Sequence, residues 1–100
     1  MDITVTSPAA GGKCLAVEGD VDVHTADELR RVIAESETST PLIINLSQVS
    51  FMDSTGLGVL IGALTRSHET GSRLVLEALS PRVDRLLSLT GIAEQFEITE

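Results

Sequence analysis

A chain of 100 residues has room for one domain and none for a second. Hydrophobic residues make up 42% and charged residues 22%, a balance that packs a core and excludes a wholly disordered chain. Fifteen acidic against seven basic side chains leave a net charge of −8, which sets nucleic acid and anionic membrane surfaces aside as primary partners.

Phe51 and Phe96 are the only aromatic residues, so the core must be built from Leu, Ile, Val and Ala. A surface that stacks nucleobases on rings is excluded by the same scarcity. No apolar run approaches the roughly 18 residues that insertion across a membrane needs. The opening Met1-Asp2-Ile3-Thr4 has no basic segment followed by an apolar stretch, and so reads as no signal peptide. Cys14 is alone, which leaves no internal disulfide and no multi-cysteine metal site. His24 and His68 have no ligand-like spacing. The expectation is a cytoplasmic protein without metal or cofactor.

In chain order, Ile3 and Val5 alternate with polar neighbours, the pattern of a half-buried strand. Ser7 to Gly12 is a turn cluster, and Lys13 to Glu18 reads as a second strand, pairing with the first as an antiparallel hairpin. Gly19 to His24 is a polar connection. Thr25, with Glu28 three residues on, predicts a capping box and a helix to about Glu37. Ala26, Leu29, Val32 and Ile33 form its apolar stripe, and Asp27–Arg31 and Arg31–Glu35 have the spacing of surface pairs.

Thr38 to Pro41 interrupts the chain before the short apolar run Leu42 to Leu46, which predicts a central strand. Ser47 to Ser54 then leads through a turn into a helix over about Thr55 to Thr70, stopped by Gly71. Leu74 to Leu76 is a further buried strand. Ser80-Pro81 starts a third helix that carries Val83, Leu86 and Leu87 and ends at Gly91. Phe96 and Ile98 predict a last edge strand. The order ββαβαβαβ is that of an α/β fold with a mixed, mostly parallel sheet and flanking helices.

The stretch Met52-Asp53-Ser54-Thr55-Gly56-Leu57-Gly58-Val59-Leu60 carries the functional signal. Ser54 fits the N-cap of the second helix or the position beside it. Leu57, Leu60, Ile61 and Leu64 make one core-facing stripe. Gly56, Gly58, Val59, Gly62 and Ala63 keep the other faces small, although each glycine costs a helix about 1 kcal/mol against alanine. Such a face serves close packing on the chain's own sheet, or docking of a partner protein, or both. Catalysis finds little support. Asp53-Ser54-Thr55-Gly56 is not the Gly-x-Ser-x-Gly elbow of a serine nucleophile, and no Gly-x-x-x-x-Gly-Lys is present for a nucleotide.

This segment resembles the signature of the STAS domain family, and is most similar to that of the bacterial anti-anti-sigma factors, the antagonists of anti-sigma factors. The resemblance extends to Gly19-Asp20-Val21-Asp22 followed by Thr25-Ala26, to Ala78-Leu79-Ser80-Pro81 and to Leu86 through Gly91. It implies a single STAS-like domain over residues 1–100, and a regulator that is not an enzyme. It places the family's phosphoacceptor on Ser54. The implied partners are an anti-sigma factor that is also the serine kinase and holds the ATP, and a metal-dependent serine phosphatase. Unphosphorylated antagonist captures the anti-sigma factor and releases a sigma factor for transcription.

The implied contact surface runs over Asp20, Asp22, His24 and Thr25, and over Asp53, Ser54, Thr55, Gly56, Gly58, Val59 and Gly62 at the start of the second helix. Asp20 and Asp22 suit basic residues on a partner, although exposed loop acids are often bystanders. Asp53 suits an orienting role. Relatives commonly add a helix after the last strand, and this sequence stops at Glu100. The rival reading is an accessory subunit of a membrane lipid-transport complex, or a module of a sensory assembly.

Overall fold

A computed structural model describes residues 1–100. Strand β1 (Asp2–Thr6) pairs antiparallel with β2 (Lys13–Val21). Helix α1 (Ala26–Ser36) leads to β3 (Leu42–Met52), then come α2 (Ser54–Thr70), β4 (Leu74–Glu77), α3 (Pro81–Thr90), a short 3-10 turn (Ala93–Gln95) and β5 (Glu97–Thr99). The five strands lie side by side in chain order, with β2 through β5 parallel. Both the α/β class and the mixed sheet are as the sequence predicts.

Because the parallel strands follow in sequence, right-handed crossovers carry the helices to one face of the sheet. Leu15, Val17, Ile44, Leu46 and Leu76 supply that face and meet Leu29 and Ile33 of α1, Leu60 and Leu64 of α2, and Val83 and Leu87 of α3 in one apolar cluster. Alternate residues point the other way, since successive side chains of a strand face opposite sides. Cys14, Ile43 and Val75 form one such row, and the Asn45 amide donates to Glu77 Oε2 at 3.0 Å in the next. Cys14 is partly buried there, and its thiol is pushed above its ordinary pKa, first by desolvation and then by the charge of Glu77.

Two strands outrun their expected ends. β2 continues from Glu18 to Val21 and β3 from Leu46 to Met52. Ser47 and Gln48 look like the start of a turn because they interrupt the apolar run, yet the ladder absorbs them. Ala16 pairs with Asn45 and Glu18 with Gln48, then Gly19 with Val49 and Asp20 with Phe51. At each shift β3 carries one residue more than its partner, which is the geometry of a β-bulge. Beyond Asn45 β3 has no β4 partner. Helix α3 packs along it instead, held where Ser80 N–H donates to Leu46 O at 3.1 Å.

Helix ends match the sequence more closely. Ser80 caps α3 by accepting from Val83 N–H, and Gly71 and Gly91 end α2 and α3 in the left-handed conformation that favours glycine. Thr25 departs from expectation: no capping box forms, because its hydroxyl is engaged elsewhere. On the α1 surface Arg31 does bond Glu35, but Asp27 pairs with Arg30 one turn on rather than with Arg31.

Candidate functional site

The parallel pairing of β2 with β3 creates the site. Val21 lies beside Met52 at the carboxyl ends of the two strands, so the segments that follow leave the sheet as neighbours. Such ends are where open parallel sheets present their functional loops. Asp53 N–H donates to Val21 O at 3.3 Å and ties the two exits together.

Asp53, not Ser54, caps α2. Its backbone is extended, and Oδ1 accepts from Thr55 N–H at 2.9 Å and Gly56 N–H at 3.2 Å. Two of the orphan donors at the helix start are thereby satisfied by one carboxylate. Ser54 falls on the first helical residue, exposed, with its side chain uninvolved in the cap. Asp53→Ala is therefore expected to cost about 1 kcal/mol of stability, whereas Ser54→Ala changes it by a few tenths, as urea unfolding would show. Equal losses at both positions would contradict the capping assignment.

A compact clasp holds the adjoining loop. Thr25 Oγ1 donates to Asp20 O at 2.9 Å and accepts from Asp22 N–H at 3.0 Å. Asp22 Oδ1 accepts from His24 N–H at 2.9 Å. Asp20 is anchored from the sheet side, where Ser50 Oγ, on the second bulge of β3, donates to its Oδ1 at 2.9 Å. Asp20 and His24 stay exposed, while Asp22 and Thr25 are half-buried. The bulges thus have a use: they place Ser50 under the loop that must stay next to α2.

Helix α2 sorts the remaining candidates. Ser54, Gly58, Ile61 and Thr65 are exposed and follow one another at helical spacing, with Gly62 half-buried beside them. Gly58 has open space where a side chain would begin, and Gly62 only the tip of Arg66. Gly56 and Val59 face inward instead, and Thr55 is half-buried. Ile61 also corrects the expected core stripe. It is 41% exposed, because α2 packs against α1 as well as against the sheet, and the buried arc turns to Gly56, Leu60, Ala63 and Ser67. Val23, 65% exposed in the clasped loop, adds a second apolar side chain at this end. Nothing in the sequence distinguishes Ile61 from a core residue except the glycines that flank it.

The end of the molecule that carries Ser54 is a surface rather than a pocket. A cleft of about 480 Å³ lies elsewhere, lined among others by Glu37, Thr40, Arg66, Thr70 and Arg73 where α1 and α2 finish. Arg66 closes it with two bonds from Nε to the Glu37 carboxylate, at 2.9 and 3.0 Å. The Arg73–Glu97 ion pair, which lowers the Glu97 pKa chiefly by hydrogen bonding, is also remote from Ser54. No helix is long and apolar enough to cross a membrane.

Comparisons with known proteins agree with this geometry. A family model described as the STAS domain matches residues 2–100. The anti-sigma-B factor antagonist of Listeria monocytogenes is 38% identical over 84 residues, 82% of this chain and 74% of that protein. An anti-sigma factor antagonist from Mycobacterium paratuberculosis superposes with a TM-score of 0.83 at 27% identity, over 98% of this chain and 84% of the other. The antagonist SpoIIAA in its unphosphorylated form gives 0.80 at 22% identity, over 99% and 89%. The phosphorylated form of SpoIIAA, from Bacillus, gives 0.76 at 20%, over 99% and 92%. At those last two identities the likeness is one of fold. With a family match across nearly its whole length, the chain belongs to the STAS domain family.

Proposed function

We propose that this chain is an anti-sigma factor antagonist of the bacterial cytoplasm, switched by phosphorylation of Ser54. The observation that carries the reading is the division of labour at the start of α2. Asp53 performs the capping, which leaves the exposed Ser54 hydroxyl free for chemistry at no structural cost. The names of its relatives, and the existence of SpoIIAA in phosphorylated and unphosphorylated forms, support the same reading.

In this account the anti-sigma factor is also the kinase and holds the ATP. Ser54 Oγ attacks the γ-phosphorus, the bond from that phosphorus to the bridging oxygen of ADP breaks, and the hydroxyl proton passes to a base of the kinase. The chain supplies the nucleophile and its placement, and the positioning of Asp53 fixes where Ser54 sits. A serine phosphatase hydrolyses the ester and resets the switch.

The phosphate adds about −1.5 to −2 charges at pH 7. In the free protein it lies exposed at a helix N-terminus, where the dipole favours an anion and water still solvates it, so the fold persists. Under a bound partner it is buried beside the Asp53 carboxylate with no cation from this loop to neutralise it. The modification acts by spoiling an interface made by Ser54, Gly58, Ile61 and Gly62 together with the clasped loop of Asp20, Asp22, His24 and Thr25.

Affinity capture from lysate with wild-type and Ser54→Asp baits, read by mass spectrometry, tests the assignment. Recovery of an ATP-binding anti-sigma factor with serine kinase activity by wild type alone is the expected result. Recovery of transporter subunits by both baits would leave the fold standing and overturn the function.

A further inference from the structure

We infer that the surface of α3 bearing Arg82, Arg85 and Leu89 is a second contact for the same anti-sigma factor, one that takes an acidic segment carrying an apolar side chain. The inference rests on the function proposed above and deepens it. Its first support is charge. Six arginines are present, and four are paired: Arg30 with Asp27, Arg31 with Glu35, Arg66 with Glu37, and Arg73 with Glu97. Arg82 and Arg85 alone have no carboxylate, in a chain with a net charge of −8. Neither has an acidic residue three or four positions away on its helix, where intrahelical pairs form.

The second support is shape. Both arginines border a shallow depression whose other walls are Met52, Leu86 and Leu89. Leu89 is 75% exposed, the most exposed large apolar residue of the chain. The Arg82 guanidinium stacks 4.8 Å from the centroid of Phe51, an arrangement that orders a long side chain before any partner arrives.

The third support is continuity with Ser54. Phe51 and Met52 end β3, and Met52 immediately precedes the Asp53 cap. The depression therefore begins at the residue that precedes the Asp53 cap, two positions from Ser54 in the chain. On a protein with a net charge of −8, two neighbouring arginines without ion pairs, with Asp84 the only acid between them, offer an acidic segment of the partner a local attraction. The two arginines accordingly set the orientation in which the kinase engages Ser54.

The test titrates purified full-length variants against each purified anti-sigma factor of the same genome, at low and physiological salt. The variants are Arg82→Glu/Arg85→Glu, Arg82→Lys/Arg85→Lys, Leu89→Ala and Ser54→Asp. The glutamate pair is expected to weaken binding about tenfold and to flatten its salt dependence, with the lysine pair close to wild type. Leu89→Ala should weaken binding a few-fold. Circular dichroism should show all variants folded, since the substituted residues are exposed. Affinity and salt dependence within twofold of wild type for the glutamate pair, with Ser54→Asp still disrupting binding, would overturn the α3 contact alone. Absence of binding by wild type to any anti-sigma factor would overturn the functional reading and this contact with it. Concentration-dependent dimerisation of wild type, lost in the glutamate pair while anti-sigma binding is kept, would assign the surface to a second copy and overturn the inference.

Discussion

Ser54→Asp is expected to lower affinity for the anti-sigma factor about a thousandfold, some 4 kcal/mol, while leaving the melting temperature near that of wild type. The contrast follows from where the residue sits. At the first position of α2 a carboxylate faces the positive end of the helix dipole, a mildly stabilising place. The cap is untouched because Asp53 provides it. In a complex the same carboxylate is stripped of water next to a second acid, and removing two like charges from solvent without a countercharge costs several kcal/mol. Isothermal titration and thermal melts on one preparation read both quantities. A variant that both melts early and binds poorly would mean that Ser54 is structural and the affinity loss incidental.

Gly56→Ala should produce the largest loss of stability among small substitutions at this end of the molecule. A β-carbon there would lie 2.8 Å from Val21 Cγ1 and from Met52 Cγ, and 3.1 Å from Val21 O. The side chains can rotate, but the carbonyl belongs to the strand exit that Asp53 N–H bonds. The first turn of α2 must therefore move away from β2. Overpacking of this kind costs about 1–3 kcal/mol, and about 4–8 °C of melting temperature for each kcal/mol in a domain of this size. Gly58→Ala, two residues on, is the informative partner. Its β-carbon meets nothing within 4 Å, so helix propensity alone should stabilise the free chain by about 1 kcal/mol. If the exposed strip is a docking face, that methyl group holds the partner off and affinity falls. Opposite signs for stability and binding at Gly58, with both lost at Gly56, would separate the two uses of glycine in this helix.

Much of the architecture could be read from residues alone. Periodicity and short apolar runs placed the three α-helices and five strands, though not the 3-10 turn at Ala93–Gln95, and Ser80, Gly71 and Gly91 marked helix ends because their chemistry is local. What escaped depends on partners distant in sequence. The extension of β3 through Ser47 and Gln48 requires the bulged ladder with β2, which no local pattern announces. Thr25 has the spacing of a capping box, yet its hydroxyl is drawn to Asp20 O and Asp22 N–H by the path of the preceding strand. Ile61 fits an apolar stripe by spacing, and only the packing of α1 on α2 turns it outward. The segment around Ser54 was legible as a candidate site, but the roles of Asp53 and Ser54 at the helix start were separable only once the cap geometry was known. Arg82 and Arg85 drew no notice in sequence, because being unpaired is a property of the folded surface.

The most direct measurement is to incubate the chain with the captured anti-sigma factor and ATP, map the phosphate by mass spectrometry, and compare the complex before and after labelling. The account predicts one phosphate, on Ser54, no labelling of Ser54→Ala, and loss of the complex as labelling proceeds. Phosphate on Thr55 or elsewhere, equal labelling of Ser54→Ala, or a complex that survives full modification of Ser54 would contradict it.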